Sequence, residues 1–225
     1  MAQVFHIVTR FDGIGGTETH ASELCSLLRA AGHQTMLWAE RPGKAAAAFG
    51  ATPIDIFARR FPVGGTLILL STHQEPGIWL DQARPARVIV ICNLFALQRL
   101  FAFLTLLERP TLPPVELVFV SAALREAAQL PGIITPPLLD LERFHPRNRV
   151  PGDRFRVGRH SRDDPRKHHR DDPSLYLMLA WRGLQVSLMG AGVLKERLGE
   201  HPLISLIDVG ARDPAAFLGE LDCFI

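Results

Sequence analysis

The sequence predicts an α/β protein made of two parallel-sheet units. Three observations support this. Short β-branched apolar runs alternate with segments of helical period along nearly all of the 225 residues. Several of those runs are apolar on both faces, as expected of sheets covered by helices on both sides. The alternation breaks once, from Pro136, where PPLLDLERFHPRNRVPGDR is proline-rich and charged without a sustained period. That stretch is assigned as a linker, 136–153, between a first unit at 1–135 and a second at 154–225.

The first strand is VFHIVT (4–9), followed by the glycine-rich FDGIGGTE. Ala21, Leu24, Cys25, Leu28 and Ala31 then recur at helical steps, Gly32 sits where a helix C-cap glycine belongs, and QTMLWA follows as a strand. Strand, glycine loop, helix, glycine, strand is a βαβ unit with a right-handed crossover. Further strands are expected at 53–58, 66–71, 87–92, 115–121 and 132–135, with helices at 44–49, 77–83, 94–108 and 122–130. The second unit runs FRVGR (strand), a polar loop, PSLYLMLAWRG (helix), QVSLMG (strand), VLKERLGE, LISLIDVG, DPAAFLGEL and DCFI.

Composition narrows the function classes. Lysine plus arginine is 25 and aspartate plus glutamate 23, a net charge of +2 that argues against a nucleic-acid-coating protein. With 47% apolar and 21% charged residues the chain is globular. Cys25, Cys92 and Cys223 are too few and too scattered for a disulfide framework or a cysteine zinc site, and fit a reducing, cytoplasmic compartment. MAQVFHIVTRFDG has no basic n-region with a long apolar run, so no signal peptide is expected. LFALQRLFAFLTLLE (94–108), interrupted by Gln98 and Arg99, is too short to span a bilayer. It is expected to be a packed helix, with shallow contact at the inner face of the membrane as the alternative.

Three constellations could carry chemistry. Gly13, Gly15 and Gly16 precede Thr17 and Glu18 between the first strand and helix, where glycines let backbone approach an anionic or hydroxyl-rich ligand. The spacing does not match the dinucleotide fingerprint, and Asp55 lies too far downstream for the ribose carboxylate, which weakens a nicotinamide-dependent oxidoreductase. The second is GRHSRDDPRKHHRDD (158–172), with Arg159, Arg162, Arg166, Lys167 and Arg170 between a strand and a helix. A diphosphate leaving group needs fixed positive charge, which arginine forks and a lysine supply without a metal; a solvated charged loop is the plainer alternative. His160, His168 and His169 lack zinc-site spacing, and Asp163, Asp164, Asp171 and Asp172 would repel nucleic-acid phosphates. The third is Gly190 and Gly192 in LMGAG, a strand entering a glycine turn.

Together these motifs resemble a family. Gly15 to His33, reading G-G-T-E-x-H-x-x-x-L-x-x-x-L-x-x-x-G-H, resembles the N-terminal signature of group 1 (family 4) retaining glycosyltransferases. LDLERFHP (139–146) resembles their interdomain stretch, GRHSRDDPRKHHRDDP their donor-phosphate loop in an enlarged form, and LMGAG and LDCFI their following strands. The resemblance implies a GT-B fold of two Rossmann-like domains facing a cleft, acceptor side first and donor side second. It implies transfer of a sugar from a nucleotide-diphosphate sugar, with retention and without an essential metal, to an acceptor glycan, lipid or small glycoside, as in polysaccharide, glycolipid and small-glycoside synthesis.

Carried over by residue, Arg159 and Lys167 would bind the donor diphosphate, with Arg162 as the substitute in another register. Gly15 and Gly16 would admit donor phosphate and sugar, and Gly190 and Gly192 would line the nucleotide. The family's strand-end histidine falls on Cys92, with Asn93 beside it, and His73 is the reserve catalytic candidate. The family's paired glutamates, E-x7-E, have no counterpart before Ile225. The expectation is therefore a second domain that is incomplete, ending in DCFI as an unpaired apolar strand. A non-catalytic nucleotide-sugar-binding or interaction protein of the same fold is the alternative.

Overall fold

The computed structural model describes residues 2–13, 15–43, 45–145 and 152–225. Two compact units divide between Leu139 and Asp140. The division falls inside the span assigned as linker, of which 146–151 lies outside the described residues. Ile14 of the first glycine loop and Pro146 of LDLERFHP also lie outside them.

The first unit contains β1 (Val4–Phe11), α1 (Gly16–Ala30), β2 (Gln34–Pro42), α2 (Ala45–Ala48), β3 (Thr52–Pro53) and β4 (Thr66–Leu70). It continues with α3 (Trp79–Ala83), β5 (Arg87–Cys92), α4 (Leu97–Leu107), β6 (Val115–Phe119), α5 (Ala122–Ala128) and β7 (Ile133–Ile134). Its parallel sheet has the order β3-β2-β1-β4-β5-β6-β7. Phe5 pairs with Thr35 on one side and Thr66 on the other.

The run of apolar residues in each central strand follows from burial on both faces. Leu67, Leu69, Val88, Val90 and Cys92 pack with Leu80, Leu100, Phe103 and Leu124 of α3, α4 and α5. Ile68, Leu70, Ile91, Phe5 and Ile7 pack with Ala21 and Cys25 of α1. Alternate residues thus serve opposite layers, so both faces are mainly apolar, and buried polar side chains such as His6 and Thr9 are hydrogen-bonded. α1 ends where Gly32 takes φ +83°, a left-handed conformation that glycine adopts without penalty.

The expected strand at 53–58 is corrected. Only Thr52–Pro53 pair with β2, opposite Trp38 and Ala39. Asp55 and Arg60 then close a tight antiparallel bridge, and the Asp55 Oδ1 accepts from the Ala58 N–H at 2.9 Å. The aspartate side chain holds the turn against the apolar alternation. Across VLKERLGE a 3-10 turn, Gly192–Leu194, leads into the short α7 (Lys195–Leu198).

The second unit comprises β8 (Arg156–His160), a 3-10 turn (Pro165–Lys167), α6 (Asp172–Trp181), β9 (Gln185–Met189), α7, β10 (Ile204–Ile207), α8 (Pro214–Gly219) and β11 (Cys223–Phe224). Its parallel sheet has the order β10-β9-β8-β11. DCFI is not unpaired, because Cys223 and Phe224 sit opposite Val157 and Gly158 of β8. Tyr176, Ala180, Val186, Leu188, Leu194 and Leu198 form this unit's core. Asp213 caps α8 by accepting from the Ala216 N–H at 2.9 Å, with Pro214 in the first turn. Among the described residues no helix is long and apolar enough to cross a membrane.

Candidate functional site

Open parallel sheets take ligands at the carboxyl ends of strands where strand order reverses. In the first unit that reversal lies between β1 and β4. The glycine loop follows β1 and the His73 segment follows β4, so the topology brings these two predicted elements to one place. α1 starts there with Gly15 in an extended conformation and no side-chain cap. Helix starts carry N–H groups without intrahelical partners, which suit an anionic or hydroxyl-rich ligand. A Cβ on Gly16 would meet nothing within 4 Å, so packing does not require that glycine.

Arg10, at the end of β1, spans the reversal and was missed in the sequence. Its guanidinium donates to the His73 carbonyl at 3.0 Å and pairs with Asp12 at 2.8 Å. His73 Nδ1 lies 3.4 Å from Arg99 of α4. Burial, then the Arg99 and Arg10 charges, push the His73 pKa below its ordinary value, so the imidazole is held toward its neutral form. A neutral imidazole at a strand end can accept a proton.

Asn93 is brought into the same cluster. Its side-chain amide donates to Thr17 Oγ1 at 3.0 Å, while its Oδ1 is buried with no hydrogen-bond partner among the described residues. Cys92 is not part of the cluster. It is 1% exposed inside the core, and burial pushes its thiol up to about 12. A neutral thiol shielded from solvent is a poor nucleophile or base, which argues against Cys92 as a reacting group.

In the second unit strand order reverses between β8 and β11, and the basic loop follows β8. The loop is more ordered by its own charges than its composition indicated. Arg159 pairs with Asp172 at 3.0 Å, donates to the Tyr176 hydroxyl at 3.4 Å and also bonds the Lys167 carbonyl. Arg166 pairs with Asp164 at 2.7 Å and holds that carboxyl well below the usual range. Arg162 and Lys167 have no side-chain hydrogen-bond or ion-pair partner among the described residues. Of the five cations these two have no close ion pair, although Arg162 lies near enough to Asp164 to help hold that carboxyl ionised. The histidines diverge: His168 is buried beside Gly190 and Ser161, His169 is exposed, and His160 packs edge-on to Phe217.

The glycines of LMGAG have packing reasons of their own. Gly190 has φ +78°, and a Cβ there would stand 1.9 Å from the Ser161 carbonyl oxygen. At Gly192 a Cβ would meet the Asp163 carboxylate at 2.6 Å. Asp163 Oδ1 accepts from the Val193 N–H at 2.8 Å, so the chain's own carboxylate already fills the anion position over that turn. Gly158 is similarly required, since a Cβ would strike Leu221 and the Ser187 carbonyl.

Two parallel α/β units, each with a loop at its strand-order reversal, define a protein of two Rossmann-like domains, the GT-B type. Solved structures share this fold. HepE of Anabaena, in a crystal structure with UDP-glucose, matches 99% of this chain and 73% of its own at 12% identity, with a TM-score of 0.65. A glycosyltransferase from Rickettsia africae matches 99% of this chain and 72% of its own at 12% identity, with a TM-score of 0.63. No family model and no curated protein matches the sequence.

Proposed function

We propose that the protein is a glycosyltransferase that moves a sugar from a nucleotide-diphosphate sugar to an acceptor hydroxyl, with retention of anomeric configuration. The observation that carries this is the basic loop after β8, at the strand-order reversal of a parallel sheet, where the Arg162 and Lys167 side chains have no hydrogen-bond or ion-pair partner among the described residues. The fold shared with proteins that include a UDP-glucose complex supports it. Arg162 and Lys167 bind the diphosphate, and Arg159 braces the loop through Asp172 and comes to the phosphate once that pair opens. These cations take the charge of the departing nucleotide in place of a metal.

In the transfer, the bond from the anomeric carbon to the diphosphate oxygen breaks and the bond to the acceptor oxygen forms. The acceptor proton leaves with the nucleoside diphosphate. Gly15, Gly16 and the uncapped start of α1 offer N–H groups to donor phosphate or sugar. His73, held toward its neutral form, and Asn93, bonded to Thr17 in the first turn of α1, are polar groups at that reversal beside Arg10. The reaction takes place in the cytoplasm, with an acceptor that is a glycan, a lipid or a small glycoside.

Calorimetric titration with UDP, GDP and ADP and their sugars tests the donor site. A nucleoside diphosphate should bind, and Lys167→Ala should weaken it; unchanged affinity in that variant would remove the phosphate role. A second reading, a nucleotide-sugar-binding protein without turnover, is favoured by the buried, neutral Cys92 at the place of the family's histidine. Release of nucleoside diphosphate coupled to glycoside formation would dismiss it.

A further inference from the structure

The loop after β8 folds over the side chain of His168, which is 2% exposed and has no part in the donor assignment. Nε2 lies 3.4 Å from Ser161 Oγ and 3.3 Å from the Gly190 carbonyl oxygen, to which the Ser161 hydroxyl also donates at 3.1 Å. A carbonyl can only accept, so the ring hydrogen belongs on Nε2. Nδ1 then presents a lone pair. It is buried without a hydrogen-bond partner among the described residues, and Asp172 Oδ2 stands 3.8 Å from it.

That carboxylate is engaged elsewhere. Asp172 Oδ2 accepts from Arg159 at 3.0 Å and from the His169 N–H at 3.0 Å, and the aspartate side chain is only 13% exposed. Arg159 also bonds the Lys167 carbonyl, the residue before His168. If Arg159 goes over to a diphosphate, a largely buried carboxylate loses its charged partner, which is unfavourable unless another donor replaces it. His168 Nδ1 needs to move only about 1 Å to reach hydrogen-bond distance. A hydrogen bond to a carboxylate is roughly twice as strong as one to a carbonyl, so the hydrogen is better placed on Nδ1 once Arg159 has left. The Ser161 hydroxyl serves either form of the ring, accepting from an Nε2–H or donating to an Nε2 lone pair.

We propose that His168 is a positioning residue for the donor diphosphate: as Arg159 leaves Asp172 for the phosphate, His168 takes its place on that carboxylate through Nδ1–H. The ring loses its hydrogen from Nε2 and gains one on Nδ1 by exchange with water. Ser161 and His168 stay joined throughout, and the two cations without a close ion pair sit directly beside them in the chain, Arg162 after Ser161 and Lys167 before His168. The exchange therefore releases Arg159 without releasing the loop. It rests on the donor-phosphate reading above.

Imidazole 15N spectra of the whole chain test this, with inorganic pyrophosphate and UDP as probes and His168 assigned by the signals lost in His168→Asn. Nδ1 of His168 should resonate as an unprotonated nitrogen in the free chain and as a protonated one at saturation with either probe. His168→Asn keeps an amide N–H near the place of Nδ1 and should bind pyrophosphate within about twofold of wild type. His168→Leu has similar bulk and no donor, and should bind about tenfold more weakly. The wild-type spectra carry the test even where His168→Leu fails to fold. An Nδ1 signal that is the same with and without bound probe, or equal affinities in the two variants, would overturn the exchange while diphosphate binding and the donor reading stand. Failure of both probes to bind would overturn both. Hydrogen arriving on Nδ1 in a chain that transfers no sugar would sustain the exchange and remove the transferase reading.

Discussion

The Asn93 side-chain amide donates to Thr17 Oγ1 at 3.0 Å, joining the end of β5 to the first turn of α1. The partners are not equivalent, because Asn93 Oδ1 is buried and unpaired. Asn93→Ala removes one hydrogen bond together with an unsatisfied acceptor, and should cost no more than about 1 kcal/mol. Thr17→Val instead leaves the amide N–H without a partner, and should cost about 1–3 kcal/mol. Chemical denaturation of the two variants checks the order; a larger loss in Asn93→Ala would contradict it.

The cations of the basic loop should separate into two kinds. Lys167→Ala should leave the melting temperature near wild type and lower nucleoside-diphosphate affinity by about 1.5–3 kcal/mol, roughly tenfold or more. Arg159→Ala should lower the melting temperature as well, because Asp172 and the Lys167 carbonyl lose their shared partner. Calorimetric titration and thermal melts of both variants distinguish them.

The glycines should separate likewise. Gly190→Ala places a Cβ against the Ser161 carbonyl at a left-handed φ and should destabilise the second unit by about 3 kcal/mol or more. Gly16→Ala meets open space and should change stability by no more than about 0.5 kcal/mol. If α1 presents its start to the donor, Gly16→Ala should weaken turnover without changing the melt. Denaturation curves measured beside donor KM check both.

Acid should destabilise the fold before its carboxylates titrate. His6 accepts from the Trp38 indole through Nδ1, which places its proton on Nε2 facing the Val63 carbonyl. Burial lowers the pKa of His6, His20 and His160 below the ordinary 6.5. The unfolded chain therefore takes up more protons than the folded one as pH falls through that value, and stability falls with it. Melting temperatures at fixed ionic strength should hold above about pH 7 and decline from there to about pH 5.5. A flat profile over that interval would contradict the neutral, buried assignment.

Cysteine reactivity should follow burial. A thiol reagent under native conditions should modify Cys223, which is exposed, and spare Cys25 and Cys92. Mass spectrometry of the labelled chain locates the adduct. Rapid labelling of Cys92 would contradict its place in the core.

The strands and α1 were legible because burial on two faces writes unbroken apolar runs, and a helix over a sheet writes a three-to-four-residue period. The 54–60 turn was not, since its apolar alternation is overruled by one Asp55 side chain bonding the Ala58 amide. The chemistry of the basic loop was legible as composition and not as pairing. Nothing local indicates that Arg159 is taken by Asp172 thirteen positions on, or that Asp163 reaches the Val193 amide thirty positions on. Gly190 and Gly192 carried the same difficulty: a glycine demanded by a neighbouring carbonyl looks, in sequence, like one that admits a ligand. Arg10 gave no motif, because its significance lies in what another strand brings beside it.

The most direct test of sugar transfer is to incubate the chain with UDP-glucose and other nucleotide sugars and a glycoside acceptor, following nucleoside diphosphate and product together. The expected result is equimolar release of diphosphate and glycoside, the new bond keeping the donor's anomeric configuration by proton NMR, with turnover reduced in Lys167→Ala. Nucleotide sugars that neither bind nor turn over, or a product of inverted configuration, would contradict the account.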